Sequence, residues 1–396
     1  MEKKTQDIII DISKDLSEPK WLRVFREKKL KHADTLSSAI TYGLGIAGSA
    51  LAEDALFEDS PEYSVDASKG VEIYTWKEAV TQDEIVPYLE RFMESDLYPN
   101  GETQGDARAA ALFRSGIVVY AQPSMDDNGV LKEETCVLKT TLTSGVVSDV
   151  MIVIVKEGAK LFVHNIYEGR GGGTLARTFI ILSENDAHST VLQKSEGLKN
   201  GAIFLTNRAI IGQHSTVTWK ELFIGRASVK SHTDSMLIGE GSCADMFQGL
   251  IPEADARQDI SASTRHIASQ THSHIRAAGI GFDETKSVYR GLIDMKHGVG
   301  SVIGAQEGKF IVLSPSSEID AIPSLDIASN DVACTHKLSV DYVHEGDIFY
   351  PKLRGFSDEE SKMLFIEGHF AEVFAGKENE EIMENIRHTL SIRKSF

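Results

Sequence analysis

The chain has 396 residues, 41% of them hydrophobic, with nine prolines and a formal net charge of −18. That length suits one large β-rich domain with appendages, or two to three ordinary domains, and the composition is that of a packed globular protein. Acidity without a basic block or stripe excludes the electrostatic footprint of a nucleic-acid binder.

At the N-terminus the apolar run Ile8–Ile10 is too short for a signal peptide. Trp21, Leu22, Phe25 and Leu30 fall at helical spacing, and the basic stretch Arg23–Lys31 reads as the solvated face of that helix. A strand over Val71–Trp76, a helix over Gln82–Met93 and a helix over Asp106–Leu112 lead into Gly116–Tyr120. Residues 1–134 therefore read as a helical and mixed α/β region.

From about residue 135 the character changes. Short apolar or alternating runs follow one another between polar or glycine-bearing corners: Val150–Val155, Lys160–His164, Thr178–Leu182, Ser215–Trp219, Ser235–Ile238, Ser287–Tyr289 and Phe310–Leu313. The apolar stretch Val146–Val155 contains Asp149 and is too short to span a bilayer. Strands this regular suggest an all-β solenoid, sandwich or barrel. His188–Val191 and His214–Val217 carry the same four residues 26 positions apart, and Gly239–Phe247 and Gly281–Tyr289 share a small-polar-then-apolar shape. A period in the high twenties favours a β-helix over a sandwich. After Tyr350 the pattern turns helical. Ser357 and Glu360 form a capping-box signature, Met363, Leu364, Ile366, Phe370, Val373 and Phe374 recur at helical spacing, and Glu378–Ile392 reads as a final helix.

Three cysteines, Cys136, Cys243 and Cys334, are too few and too far apart for a disulfide framework, and a reducing, cytoplasmic compartment is expected. Cys334 and His336 stand two residues apart, so on an extended strand both side chains point to one face, about 6.6 Å apart at roughly 3.3 Å per residue. Thiolate plus imidazole suits zinc, copper or an iron–sulfur cluster; the alternative is a buried cysteine beside a hydrogen-bonded histidine. Cys136 and Cys243 are further ligands only if they fold near Cys334. His266, His272 and His274 read as a second cluster or as the polar outer face of a solenoid. Gly169–Thr174 lacks dinucleotide-fingerprint spacing and no P-loop occurs, so nucleotide hydrolysis by this chain is not expected. No G-x-S-x-G supports Ser–His–Asp catalysis, and with only Trp219 in the β region a polysaccharide-cleaving groove lacks its aromatic platforms.

Tyr289–Ile293, Ile322–Ile327, Asp331–His336, Ile348–Tyr350, Arg354–Ser357 and Gly368–Phe374 follow one another in an order that resembles the SufB/SufD family, the scaffolds of iron–sulfur cluster assembly. The resemblance implies a mainly β protein: a right-handed parallel β-helix core over 135–350, flanked by the N-terminal α/β region and by C-terminal helices over 351–396. It further implies a homodimer through the β-helix, a SufC-like ABC ATPase docked on the C-terminal helices, and apo-protein acceptors for a transient iron–sulfur cluster. It implies neither membrane nor nucleic-acid partners, and no enzymatic activity of the chain's own. Cys334 and His336 match the C-x-H of SufD-like members. Lys337 stands where SufB-like members often carry Glu, and the SufB-like cysteine, near Gly308 and Lys309 by position, is absent. The chain resembles the shorter single-scaffold form of archaea and some anaerobes. Two copies would supply two thiolates and two imidazoles, with Glu318 or Asp320 as supporting ligands and Lys337 favouring the Cys334 thiolate. Arg354, Gly355, Phe356, Phe370 and Phe374 are the residues expected to meet the ATPase. The other reading is a SufD-like subunit that activates the ATPase or assists iron entry without holding a cluster.

Overall fold

The computed structural model describes residues 2–36, 44, 61–101, 103–142, 145–169, 171–196, 201–374 and 380–392. Five helices precede the last coils of sheet: α1 (Glu2–Asp15), α2 (Lys20–Ala33), α3 (Trp76–Ala79), α4 (Val86–Glu94) and α5 (Gln104–Leu112). The strands are β1 (Glu62–Ala67), β2 (Val71–Thr75), β3 (Ser115–Ala121), β4 (Ser124–Met125), β5 (Leu131–Leu142), β6 (Val146–Val155), β7 (Lys160–Gly169), β8 (Thr174–Ser183), β9 (His188–Glu196), β10 (Ala202–Ile211), β11 (Thr216–Gly225), β12 (Ser228–Leu237), β13 (Cys243–Pro252), β14 (Arg257–His266), β15 (His272–Gly281), β16 (Lys286–Met295), β17 (Gly300–Val312), β18 (Glu318–Ile327) and β19 (Asp331–Tyr342). Three helices follow: α6 (Glu345–Leu353), α7 (Asp358–Val373) and α8 (Glu380–Ile392).

Successive strands alternate between two sheets. The odd sheet runs β1-β5-β7-β9-β11-β13-β15-β17-β19 and the even sheet β18-β16-β14-β12-β10-β8-β6-β3-β2. From β5 onward each strand pairs in parallel with the strand two ahead, which makes a parallel β-solenoid of about seven turns. The β-helix expected from the strand pattern is therefore present. Its N-terminal end is closed by antiparallel pairs, β1 on β5 and β2 on β3, so the sheets begin well before residue 135. At the other end β18 and β19 are the outermost strands of their sheets.

One coil takes between 26 residues, from Ala202 to its partner Ser228, and 32, from Lys286 to Glu318. The His188–Val191 and His214–Val217 match is out of register: His188 pairs with Thr216, 28 residues on. The backbone explains the slip. His214 occupies a left-handed corner (φ 54°) equivalent to Asp186 (φ 56°), whereas His188 is the first residue of a strand. Asp186 N donates to Gln213 O and His214 N to Glu240 O, so each corner hydrogen-bonds to the next coil.

Inward side chains form the main core, including Met151, Val153, Phe179, Trp219, Phe223, Ile275, Tyr289 and Phe310. The outer face of the even sheet is covered too. Val150, Ile152 and Ile154 pack with Leu22, Phe25, Trp76, Leu89 and Phe92 of the N-terminal helices. Burial on both faces is why Val150–Val155 is a continuous apolar run rather than an alternating one. The basic stretch of α2 is not wholly solvated. Arg26 is fully buried, its Nη2 2.5 Å from Glu18 Oε1 and its Nη1 donating to Ala111 O (2.7 Å) and Phe113 O (3.0 Å). Lys29 Nζ donates to Asn100 Oδ1 (2.7 Å) and Pro99 O (3.1 Å), and burial lowers its pKa to about 8. Helical periodicity located α2, but two of its cations tie the helix to α5 and to the turn after α4. No helix among the described residues is long and apolar enough to cross a membrane.

Candidate functional site

Cys334 and His336 lie on β19, the edge strand of the odd sheet. Strand alternation places both on the inward-facing side. Val332, Cys334 and Leu338 pack partly buried against the core, and Cys334 stands in register with Gly304 and His336 with Gln306. His336 is exposed, because no further coil covers it. The thiol is half-buried, and burial pushes its pKa up, opposed only by a backbone hydrogen bond from Thr335. The resting form is the protonated thiol, so a metal ion must itself drive the deprotonation that makes Cys334 a ligand.

The supporting residues expected around this pair lie elsewhere. Lys337 points to the outer face of the odd sheet, opposite Glu307 in register, and its charge acts on Glu372 of α7. One residue along a strand reverses the face, so Lys337 does not favour the Cys334 thiolate. Glu318 and Asp320 are exposed on the even sheet, while Ile319 between them points inward, and Glu318 pairs with Lys286 at 3.1 Å. Neither carboxylate converges on Cys334 within one chain.

Cys136 is fully buried in the core, its pKa raised by burial to about 12. It lies seven strands from β19 along the odd sheet, roughly 34 Å at about 4.8 Å per strand. Cys243 is three strands away and on the outer face, since its neighbour Ala244 is the core residue. His266 is a satisfied core histidine: its ring nitrogens meet Thr271 Oγ1 (2.7 Å) and Ser273 Oγ (2.8 Å), and burial lowers its pKa to about 4. His272 and His274 occupy the outer face, with His274 Nε2 3.1 Å from Glu307 Oε1 beside Arg276. Among the described residues no group of three or more His, Cys, Asp or Glu converges as a metal shell.

The C-terminal helices split into a packing half and a presenting half. Ile366, Phe370, Val373 and Phe374 of the α7 segment, with Met383, Ile386 and Leu390 of α8, bury against Leu222, Phe247, Ile280 and Ile311 on the outer odd sheet. Lys309 of β17 pairs with Glu372. Phe370 and Phe374 are 0% and 1% exposed; they anchor α7 to the solenoid and are not available to a partner, which corrects the docking role expected of them. Phe349, Tyr350, Leu353 and Phe356 are exposed instead. Arg354 packs over the Tyr350 ring, 5.1 Å from its centroid, and donates to its hydroxyl at 2.7 Å. Gly355 ends α6 in the left-handed region (φ 95°), where a side chain is strained, and turns the chain so that Phe356 faces outward. The Ser357–Glu360 capping box then starts α7 as its sequence predicts.

A set of polar residues inside the solenoid escaped the sequence reading. Asn165, Gln193, Glu221 and Gln248 are fully buried and stacked in register on β7, β9, β11 and β13. Arg177 joins them from the even sheet, forked onto Asp149 (2.7 and 2.5 Å) and donating to Asn165 Oδ1 at 3.2 Å. Glu221 accepts from Gln248 Nε2 (2.6 Å), Thr233 Oγ1 (2.9 Å) and Asn207 Nδ2 (3.0 Å), yet burial still raises its pKa to about 7. The signal was in the sequence as spacings of 28, 28 and 27 residues between these four polar positions.

The fold and the soft ligand pair on its open end define a β-solenoid protein of the cluster-assembly class. The chain belongs to the SufBD family: the family model "SUF system FeS cluster assembly, SufBD core domain" matches residues 138–369, more than half of the chain. The chain is similar to the iron–sulfur cluster assembly protein SufB of Bacillus subtilis, 23% identical over 427 aligned residues that cover 93% of this chain and 88% of the relative. It is similar to SufD of the same organism at 26% over 217 residues, covering 54% of this chain and 49% of the relative. A SufBD family protein of Staphylococcus epidermidis is 22% identical over 429 residues, covering 93% and 88%.

Proposed function

We propose that the chain is a cytoplasmic scaffold on which an iron–sulfur cluster is assembled at the interface of a homodimer and handed to apo-proteins. A separate SufC-type ABC ATPase, docked on the C-terminal helices, supplies the work, and the chain is not itself an enzyme. The observation that carries this reading is the placement of Cys334 and His336 on one face of the last strand, beside an edge without a partner. One chain offers two soft ligands there, and a two-fold axis past that edge would double them to two thiols and two imidazoles. The exposed side chains of Ile322, Ile327, Val340 and Tyr342 on the last coil support an interface at this end. The outward aromatic surface of α6, with Arg354, Gly355 and Phe356, supports the docking of a partner there.

Anaerobic reconstitution with iron and sulfide tests it. The wild-type dimer is expected to take up iron with cluster absorbance, and Cys334→Ala to remain folded and dimeric while losing that absorbance. An unchanged spectrum in Cys334→Ala would remove Cys334 from the site.

A second reading, a SufD-like subunit that activates the ATPase without holding a cluster, draws on a specific observation: burial keeps the Cys334 thiol protonated and no carboxylate stands beside it. Iron counting separates the two, since this subunit would carry no stoichiometric iron per dimer yet still bind the ATPase.

A further inference from the structure

The triplet Thr264–His266 carries a residue that neither the cluster site nor the docking helices use. Arg265 points to the outer face of the even sheet, into a cleft of about 500 Å³. The floor is formed by β10, β12, β14 and β16, one wall by β18, and the other by the segment from Asp96 to Gly101 after α4. Arg208, His232, Ser261, Arg265, Arg290 and Ser324 line it. That volume lies within the range of small-molecule sites.

The arginines are built in from below. Asp234, 0% exposed, takes Arg208 Nη2 at 2.7 Å, Arg265 Nε at 3.1 Å and the Ser263 hydroxyl at 2.6 Å. Asp259, 1% exposed, takes Arg290 Nη2 at 2.5 Å. Arg208 Nη1 donates further to Leu97 O at 2.9 Å, and His232 Nδ1 lies 2.8 Å from Ser261 Oγ. Three guanidinium groups thus stand over two buried carboxylates; Asp96, at the rim, is offset by nearby Lys29. Arg208 Nε is buried without a partner. Among the described residues the two Nη groups of Arg265 bond no protein atom. A guanidinium held through its Nε by a buried carboxylate keeps a pre-oriented face of N–H donors toward the cleft, the geometry that suits planar or tetrahedral oxyanions. An acidic chain of net charge −18 gains nothing in solubility from burying aspartates to hold arginines in a concave surface.

We propose that this cleft binds a small multivalent oxyanion, a phosphorylated or polycarboxylate metabolite, through Arg265 and Arg290 with the hydroxyls of Ser261 and Ser324. Because Ile322 and Ser324 of β18 form one wall, the ligand braces the last coil of the solenoid. The site is independent of the cluster-assembly reading.

Calorimetric titration of the full chain with pyrophosphate and, separately, with tricarballylate, which chelates metals weakly, tests the proposal. Saturable binding with a dissociation constant below about 1 mM is expected for at least one, and the preferred probe assigns the class. Arg265→Ala is expected to weaken binding tenfold or more without unfolding, because Asp234 keeps Arg208, while Arg265→Lys retains part of it. Hydrogen exchange at Ile322–Ser324 is expected to slow on binding. Failure of both probes to saturate, or equal binding by wild type and Arg265→Ala, overturns the assignment; an Arg265→Ala chain that does not fold is replaced by Arg290→Gln, judged by the same criterion.

Discussion

Cys334 illustrates how a residue's neighbours in space, not in sequence, set its chemistry. Lys337 is three residues away yet faces the opposite side of β19, so burial alone acts on the thiol and raises its pKa. Glu221 is the other residue whose environment makes a measurable statement. Its carboxyl is held at about 7 in the folded chain by desolvation, only partly countered by hydrogen bonds from Gln248, Thr233, Ser231 and Asn207. The folded state therefore keeps a proton that the unfolded chain releases near pH 4.5. Between these values unfolding releases a proton, so this group's contribution to stability falls as pH rises and levels off above about 7, a change of roughly 3 kcal/mol at most. Glu221→Gln removes the titration. Gln248 Oε1 and Asn207 Oδ1 lack partners, so either amide can turn to suit the new side chain. Denaturant unfolding at pH 5 and pH 8 is expected to show the variant gaining on wild type at the higher pH; a pH-independent difference would refute the raised carboxyl.

At the scale of elements, α6 and α7 divide labour that periodicity alone had merged. An aromatic residue at helical spacing reads the same whether it packs or protrudes, and Phe356 and Phe370 differ only once the outer odd sheet is in place beneath α7. Phe370→Ala leaves a cavity against Phe247 and Phe374 and is expected to cost about 3–5 kcal/mol, seen as rapid proteolysis beyond β19 while the solenoid still melts cooperatively. Phe356→Ala, on a half-exposed ring, is expected to change stability by no more than about 0.5 kcal/mol and to reduce co-purification of the ATPase. The opposite pattern, with Phe370→Ala harmless to the helices or Phe356→Ala unfolding them, would reverse these assignments. The corner ladder makes the same point for strands. Two identical tetrapeptides were spaced 26 residues apart, but the left-handed corner at His214 belongs with Asp186, and the ladder runs at 28.

The molecule as a whole is a solenoid with one end closed and the other open. Antiparallel strands cap β5 and β3, N-terminal helices cover the even sheet, and C-terminal helices cover the odd sheet. What stays uncovered is the last coil, where an unpaired edge is a site for association. Placing lysine at both Val340 and Tyr342 of β19 is expected to give a folded monomer by light scattering, whereas Cys334→Ala keeps the mass of the dimer; a lysine variant that stays dimeric would move the interface away from this end. The sequence by itself determined the strand-rich core, the capped helix α7 and the C-x-H pair, because alternation, capping chemistry and i, i+2 geometry are local and survive without tertiary context. The tertiary structure alone decided which face each side chain takes, that Glu318, Asp320 and Lys337 stand apart from Cys334, and that polar residues 28 apart meet inside the lumen. Those facts depend on how many residues each corner consumes, and one residue more or less in a coil turns every following side chain to the other face.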